Sequence, residues 1–178
     1  MTMQAVHHGG LVVRDLDRSI YFYHDILGLG FVNEPTPWFE GEDLAKGVGV
    51  PGASLRQVTL AVGEHSTIEL IEYGNRPASN SAPIPNNHLG AAHMCFRVED
   101  IVAKRAELES KGVEFYSEIN VIDEGPLEQW RWCYFDDPDG LVLEIVQIDG
   151  YRKDVREQNA EEYLRTRPSL AEVEARLQ

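Results

Sequence analysis

Apolar and polar positions along this chain alternate, switch to a helical spacing, then alternate again, and the whole cycle occurs twice. "HGGLVV" (His8–Val13) is rich in branched residues and alternates loosely, as a half-buried strand does. Ile20, Tyr23 and Leu27 then recur at helical steps, which predicts a helix over about Leu16–Leu27 with these side chains turned to a sheet. Asp15 stands where an N-cap is needed and Gly28 where a helix ends. "LRQVTLAVG" (Leu55–Gly63) and "STIELIEY" (Ser66–Tyr73) return to alternation and read as a hairpin around Gly63, Glu64 and His65. Between helix and hairpin, Asn33–Ser54 carries three prolines and four glycines and follows neither period. It is expected to form a rim over the sheet rather than core.

The second cycle begins at Ala92. With His8 set over His93, Leu11 meets Phe96, Val13 meets Val98, Asp15 meets Asp100 and Leu16 meets Ile101. A strand at Ala92–Val98 leads to a helix at about Ile101–Lys111, closed by Gly112, and then to a hairpin of "WRWCYF" (Trp130–Phe135) and "LVLEIVQI" (Leu141–Ile148). "DDPDG" between the hairpin strands has proline and glycine where a tight reversal wants them. The fold class read from this pattern is α+β: two βαβββ modules pairing into a curved antiparallel sheet cup, plus a helical C-terminal tail. Residues 1–75 form the first module, 76–91 a proline-rich linker, 92–149 the second module and 150–178 the extension, in which Ser169 and Glu172 make a capping-box start.

Strand alternation sorts the polar residues. If Leu11, Val13, Met94, Phe96 and Val98 face the helices, then His8, His93, Cys95 and Arg97 face the cup. If Ile68, Leu70, Leu143 and Ile145 are core, Glu69 and Glu144 face the cup as well. Each module therefore offers one histidine and one glutamate on rigid strands. Two imidazoles and two carboxylates are a donor set for a divalent transition metal, here Zn, Ni, Co, Mn or Fe. One strand histidine, or one strand glutamate, is ordinarily a packed or solvated residue. Four at repeat-related positions call for a shared reason, because glutamate is depleted in strands and a buried carboxylate needs a partner. Gln57 and Thr59 fall on the same face and are candidate substrate contacts, as are Arg97 and Trp132. Arg131 and Trp132 are adjacent, so only one of them turns inward.

Composition narrows the partners. The chain of 178 residues has a net charge of −14, which disfavours nucleic acid and anionic membranes. Residues 151–178 hold six basic and six acidic side chains, so the acidity belongs to the modules. Two cysteines, Cys95 and Cys133, lie in apolar runs and do not make a disulfide framework. No signal-like leader or membrane-length apolar run is present, and the expected location is the cytoplasm.

The two strand–helix openings, "TIELIEY" and "YFDDPDGLVLEIVQ" resemble the vicinal oxygen chelate superfamily, which includes glyoxalase I, methylmalonyl-CoA epimerase, the extradiol dioxygenases and the fosfomycin and bleomycin resistance proteins. The resemblance covers about residues 6–148. It implies one divalent metal ion per cup, held by His8, Glu69, His93 and Glu144. It further implies a small-molecule carbonyl substrate and proton transfer by Glu144 or Glu69 beside a carbonyl that the metal binds, as in an isomerase, epimerase or lyase. A homodimer is the expected assembly, with the cup formed within one chain or between swapped chains. Two alternatives stay open: an extradiol-type Fe(II) dioxygenase, which would use only His8, His93 and Glu144, and a non-catalytic small-molecule binding protein of the resistance type.

Overall fold

A computed structural model of the chain describes residues 5–76, 83–124, 127–148 and 165–176. Linker residues 77–82, residue 149 at the end of the second module, and residues 150–164 and 177–178 of the extension lie outside them. Each module is a strand, a helix and a meander. The first runs β1 (His8–Val13), α1 (Leu16–Ile20), β2 (Gly30–Phe31), β3 (Phe39–Glu40), α2 (Glu42–Val48), β4 (Ser54–Val62) and β5 (Ser66–Tyr73). The second runs β6 (His93–Arg97), α3 (Ile101–Ser110), β7 (Asn120–Val121), β8 (Arg131–Asp136) and β9 (Val142–Gln147). A short α4 (Leu170–Ala175) begins at Ser169 with the expected capping box.

The two sheets are ordered β1-β5-β4-β2, with β3 also on β4, and β6-β9-β8-β7. One feature differs from a purely antiparallel cup. β1 runs parallel to β5 and β6 parallel to β9, while the remaining pairs are antiparallel. A strand that enters a helix and returns through a meander finishes beside the last strand in the same direction, as a crossover connection requires. No ladder joins β1 to β6 among the described residues; they are the outer strands of separate sheets.

Both helices start as the sequence predicts. The Asp15 carboxylate accepts from Arg18 N–H, and that of Asp100 accepts from Val102 and Ala103 N–H. A second cap repeats with the modules. Glu72, near the end of β5, accepts from Leu16 N–H at 2.8 Å, and Gln147, at the end of β9, accepts from Ile101 N–H at 2.9 Å. Each helix is thus pinned to the strand that lies under its first turn. Past Ile20 the first helix widens into a π-helical stretch, Tyr21–Ile26, that ends at Gly28 with φ +88°. The wider turn lets Phe22 and Tyr23, adjacent in sequence, both be buried.

The helix-facing side chains of the two sheets belong to one core, with Val58, Leu60, Ile68 and Leu70 from the first and Cys133, Phe135, Leu143 and Ile145 from the second. Polar contacts tie the modules together around it. Tyr23 donates its hydroxyl hydrogen to Asp137 at 3.0 Å, and Arg14 and Arg18 both reach Asp139. Lys111 Nζ donates to the Asp25 and Ile26 carbonyls, where the first helix leaves acceptors unpaired. Asp137 also accepts from Asp139 and Leu141 N–H, so the carboxylate that locks the "DDPDG" turn also docks the two modules. Among the described residues no helix is long and apolar enough to cross a membrane.

Candidate active site

The histidine and glutamate of each module meet on the sheet face away from the core. His8 and His93 begin their strands. Glu69 lies opposite Gly10, and Glu144 opposite Cys95, each two residues beyond the histidine. The pairs are therefore diagonal neighbours in the same register in both modules. His8 Nε2 stands 3.6 Å from Glu69 Oε2, and His93 Nε2 stands 3.3 Å from Glu144 Oε2. Adjacent ligands of one ion, each about 2.1 Å from it, stand about 3.0–3.6 Å apart at ordinary coordination angles. Both pairs have the donor chemistry and the spacing of two such ligands.

The surroundings of the two pairs differ. His8 Nδ1 lies 2.9 Å from His7 Nδ1, an orienting contact on the ring nitrogen that does not face Glu69. His93 packs edge-on against Tyr134, with ring centroids 5.3 Å apart. Glu69 is flanked in register by Gly10 and Thr59, Glu144 by Cys95 and Tyr134. Burial, and after it the negative charge of the Glu144 carboxylate, pushes the Cys95 thiol up to about 12 and also raises Tyr134. Both groups are neutral at physiological pH. Glu144 is also the more enclosed side chain, 13% exposed against 26% for Glu69.

The remaining candidates fall where alternation puts them. Gln57 and Thr59 interleave with the buried Val58 and Leu60. Cys133 and Phe135 are fully buried, so Trp132 takes the cup face and Arg131 the other. Trp132 is the repeat counterpart of Gln57, since they pair with Val146 and Ile71 respectively. Two neighbours of the candidate site escape the sequence reading. Tyr134 carries the same alternation signal as Trp132, and its ring touches that of Trp132 at 5.1 Å. His7 gave no periodic signal; only its contact with His8 reveals it. Trp38, on the rim, rests over the Arg56 guanidinium, and the rim residues Val32 and Thr36 bond to the backbone of β4.

The structure does not bring all four predicted ligands to one point. Among the described residues no three His, Cys, Asp or Glu side chains gather as a metal-holding group. The chain presents two separate couples, each a histidine with a glutamate.

Paired βαβββ modules with a His/Glu couple on each concave face define the class, and comparison with known proteins agrees. Residues 5–145 match the model of the Glyoxalase/Bleomycin resistance protein/Dioxygenase superfamily, and the chain belongs to that family. It is 28% identical over 146 residues to a 2-epi-5-epi-valiolone epimerase of Actinomyces sp, covering 81% of this chain and 79% of the relative. It is 30% identical over 149 residues to a lactoylglutathione lyase of Pseudomonas aeruginosa, covering 79% and 81%. The structure of a glyoxalase family protein from Bacillus cereus superposes with a TM-score of 0.67 at 24% identity, covering 84% of this chain and 97% of the other.

Proposed function

We propose that this protein is a divalent-metal-dependent enzyme that moves a proton on a carbon next to the carbonyl of a small molecule, with an isomerase, epimerase or lyase outcome. The observation that carries this reading is the repeated His/Glu couple, His8 with Glu69 and His93 with Glu144, at ligand-like spacing. The names of the similar proteins, an epimerase and a lyase, support the same chemistry. Since the couples do not converge within one chain, the complete centre combines His8 and Glu69 of one copy with His93 and Glu144 of a second, in a homodimer.

A divalent ion held by these four residues would act as a Lewis acid that polarises the carbonyl and acidifies the neighbouring C–H. The chain's own groups do the rest. Glu69 and Glu144 stand on opposite half-sites, so one takes the proton and the same or the other returns it, which accounts for either isomerase or epimerase stereochemistry. Cys95 and Tyr134, the cross-strand neighbours of Glu144, flank its carboxylate. Gln57 and Thr59 on one module and Trp132 on the other line the space where a substrate would lie.

Solvent exchange tests the reading. A panel of 2-oxo, thioester and polyhydroxy ketone compounds is incubated with the metal-loaded protein in deuterated water under nitrogen and followed by NMR. Deuterium entry next to a carbonyl, lost in Glu69→Gln or Glu144→Gln, is the expected result. Oxygen-dependent catechol cleavage instead would assign the chain to the dioxygenase branch, and affinity with neither reaction would assign it to the binding proteins.

A further inference from the structure

The second module's cup face carries an arrangement that the metal reading does not use. Three strands contribute to it. On β8, Trp132 and Tyr134 stand two residues apart with ring centroids 5.1 Å from one another, and Tyr134 continues to the His93 ring at 5.3 Å. On β6, Arg97 lies on the same face as His93 and Cys95, since Met94 and Phe96 alternate with them and pack on the core. β9 aligns them, because Val146 pairs with Arg97 on one side and with Trp132 on the other. Arg97 and Trp132 thus occupy one row across the sheet, and Glu144 lies one strand repeat away, in the row of Cys95 and Tyr134. A strand repeat of two residues spans about 6.6 Å.

Arg97 has no structural employment. It is exposed at the end of β6, where it borders an open hollow of about 460 Å³ with Val98, Glu99 and Ile148, and its side chain makes no hydrogen bond or ion pair with any described residue. The other arginines described within the two modules are engaged, among them Arg18 with Asp139, Arg56 with Glu72 and Asp17, and Arg105 with Glu109 and Glu118. A planar cation with no partner among the described residues, on the same sheet face as two aromatic rings and one strand removed from them by Val146, suits a carboxylate on a flat or apolar body. The guanidinium takes the two oxygens and the rings take the body.

We propose that Arg97, with the Trp132–Tyr134 ring pair, selects the substrate, and that the substrate is an oxo acid whose carboxylate points along β6 away from His93, toward Arg97, while its carbonyl lies at the His93–Glu144 couple. This rests on the carbonyl reading above for which end of the substrate reacts. It separates oxo acids from neutral polyols and ketones, which would gain nothing from Arg97.

The test uses two probes that differ in charge alone, 4-acetylbenzoate and 4-acetylbenzamide, plus benzoate as the probe without a ketone. Binding to the full chain is followed by calorimetry, with metal and after chelation. The acid should bind about tenfold or more tightly than the amide, as expected for a charge-assisted hydrogen-bonded pair. Arg97→Gln should bring the ratio to about one by weakening only the acid, Arg97→Lys should restore part of it, and Trp132→Ala should weaken acid and amide together. Arg97 is exposed, so the melting temperature of Arg97→Gln should match the parent and show the variant folded. An unchanged acid-to-amide ratio in Arg97→Gln, or no binding of either acid or amide, overturns the proposal. The metal reading fails separately. If 4-acetylbenzoate never exceeds benzoate in the metal-loaded protein, the carbonyl has no partner, while an acid preference that survives chelation and depends on Arg97 still upholds this assignment.

Discussion

Tyr23 and Asp137 join the two modules at one buried point, and removing the tyrosine hydroxyl tests how much that joint holds. Tyr23 is 0% and Asp137 6% exposed, and the hydroxyl lies 3.0 Å from Asp137 Oδ2. Tyr23→Phe keeps the ring and its packing and deletes one donor from a carboxyl that otherwise receives two backbone N–H groups. A hydrogen bond to a charged or strongly polar buried group is worth about 1.5–3 kcal/mol. At about 2–4 °C per kcal/mol for a chain of this size, Tyr23→Phe should lower Tm by about 3–12 °C. Asp137→Ala, which strands all three donors and opens the turn, should cost more, about 3–5 kcal/mol. The assay is urea unfolding of both single variants and the double, with the coupling energy taken from the cycle. Burial outweighs the hydrogen bonds and raises the Asp137 pKa above its ordinary value. The native carboxyl therefore keeps its proton to a higher pH than the unfolded one. The contribution is full below the unfolded midpoint, about 3.9, declines by no more than about 1.4 kcal/mol per pH unit as pH rises through the native midpoint, and is level above it. Asp137→Asn should abolish that slope. A Tyr23→Phe protein within about 0.5 kcal/mol of the parent, with no coupling to Asp137, would refute the joint.

Further outcomes are expected elsewhere. Mixing His8→Ala with His93→Ala protein under subunit exchange should restore activity to a mixed dimer, because one of its two cups is then free of both substitutions; no recovery would place the centre within one chain. Glu72→Ala and Gln147→Ala should each cost about 1 kcal/mol as lost helix caps, read from denaturant midpoints, with Glu72→Ala the larger because Glu72 also pairs with Arg56. Gly140→Ala should destabilise by roughly 1 kcal/mol or more, since Gly140 has φ +83° and an added Cβ would run into Pro83.

What was legible in the sequence was whatever periodicity encodes. The strand faces of His8, Glu69, His93 and Glu144 follow from Leu11, Ile68, Phe96 and Ile145 being core, and Asp15 and Asp100 announce their helices. The π-helical turn was not legible, because Phe22 and Tyr23 fit an ordinary helix as well as a widened one until both have to be buried. Nor were the caps from Glu72 and Gln147, which are tertiary contacts across 56 and 46 residues. Tyr134 could have been found by extending the alternation that gave Trp132, whereas His7 could not, since its contact with His8 has no period. The "DDPDG" stretch, which carries much of the family resemblance, is occupied with architecture. Asp137 and Asp139 lock the turn and the modules, and the candidate ligand Glu144 lies four residues beyond that stretch, on β9.

The central claim is that His8, Glu69, His93 and Glu144 hold one metal ion between them. Elemental analysis of the purified protein and of its four single alanine variants tests it most directly. Stoichiometric divalent metal in the parent and a sharp loss in every variant is the predicted result; full metal content in any one of the four would contradict the assignment.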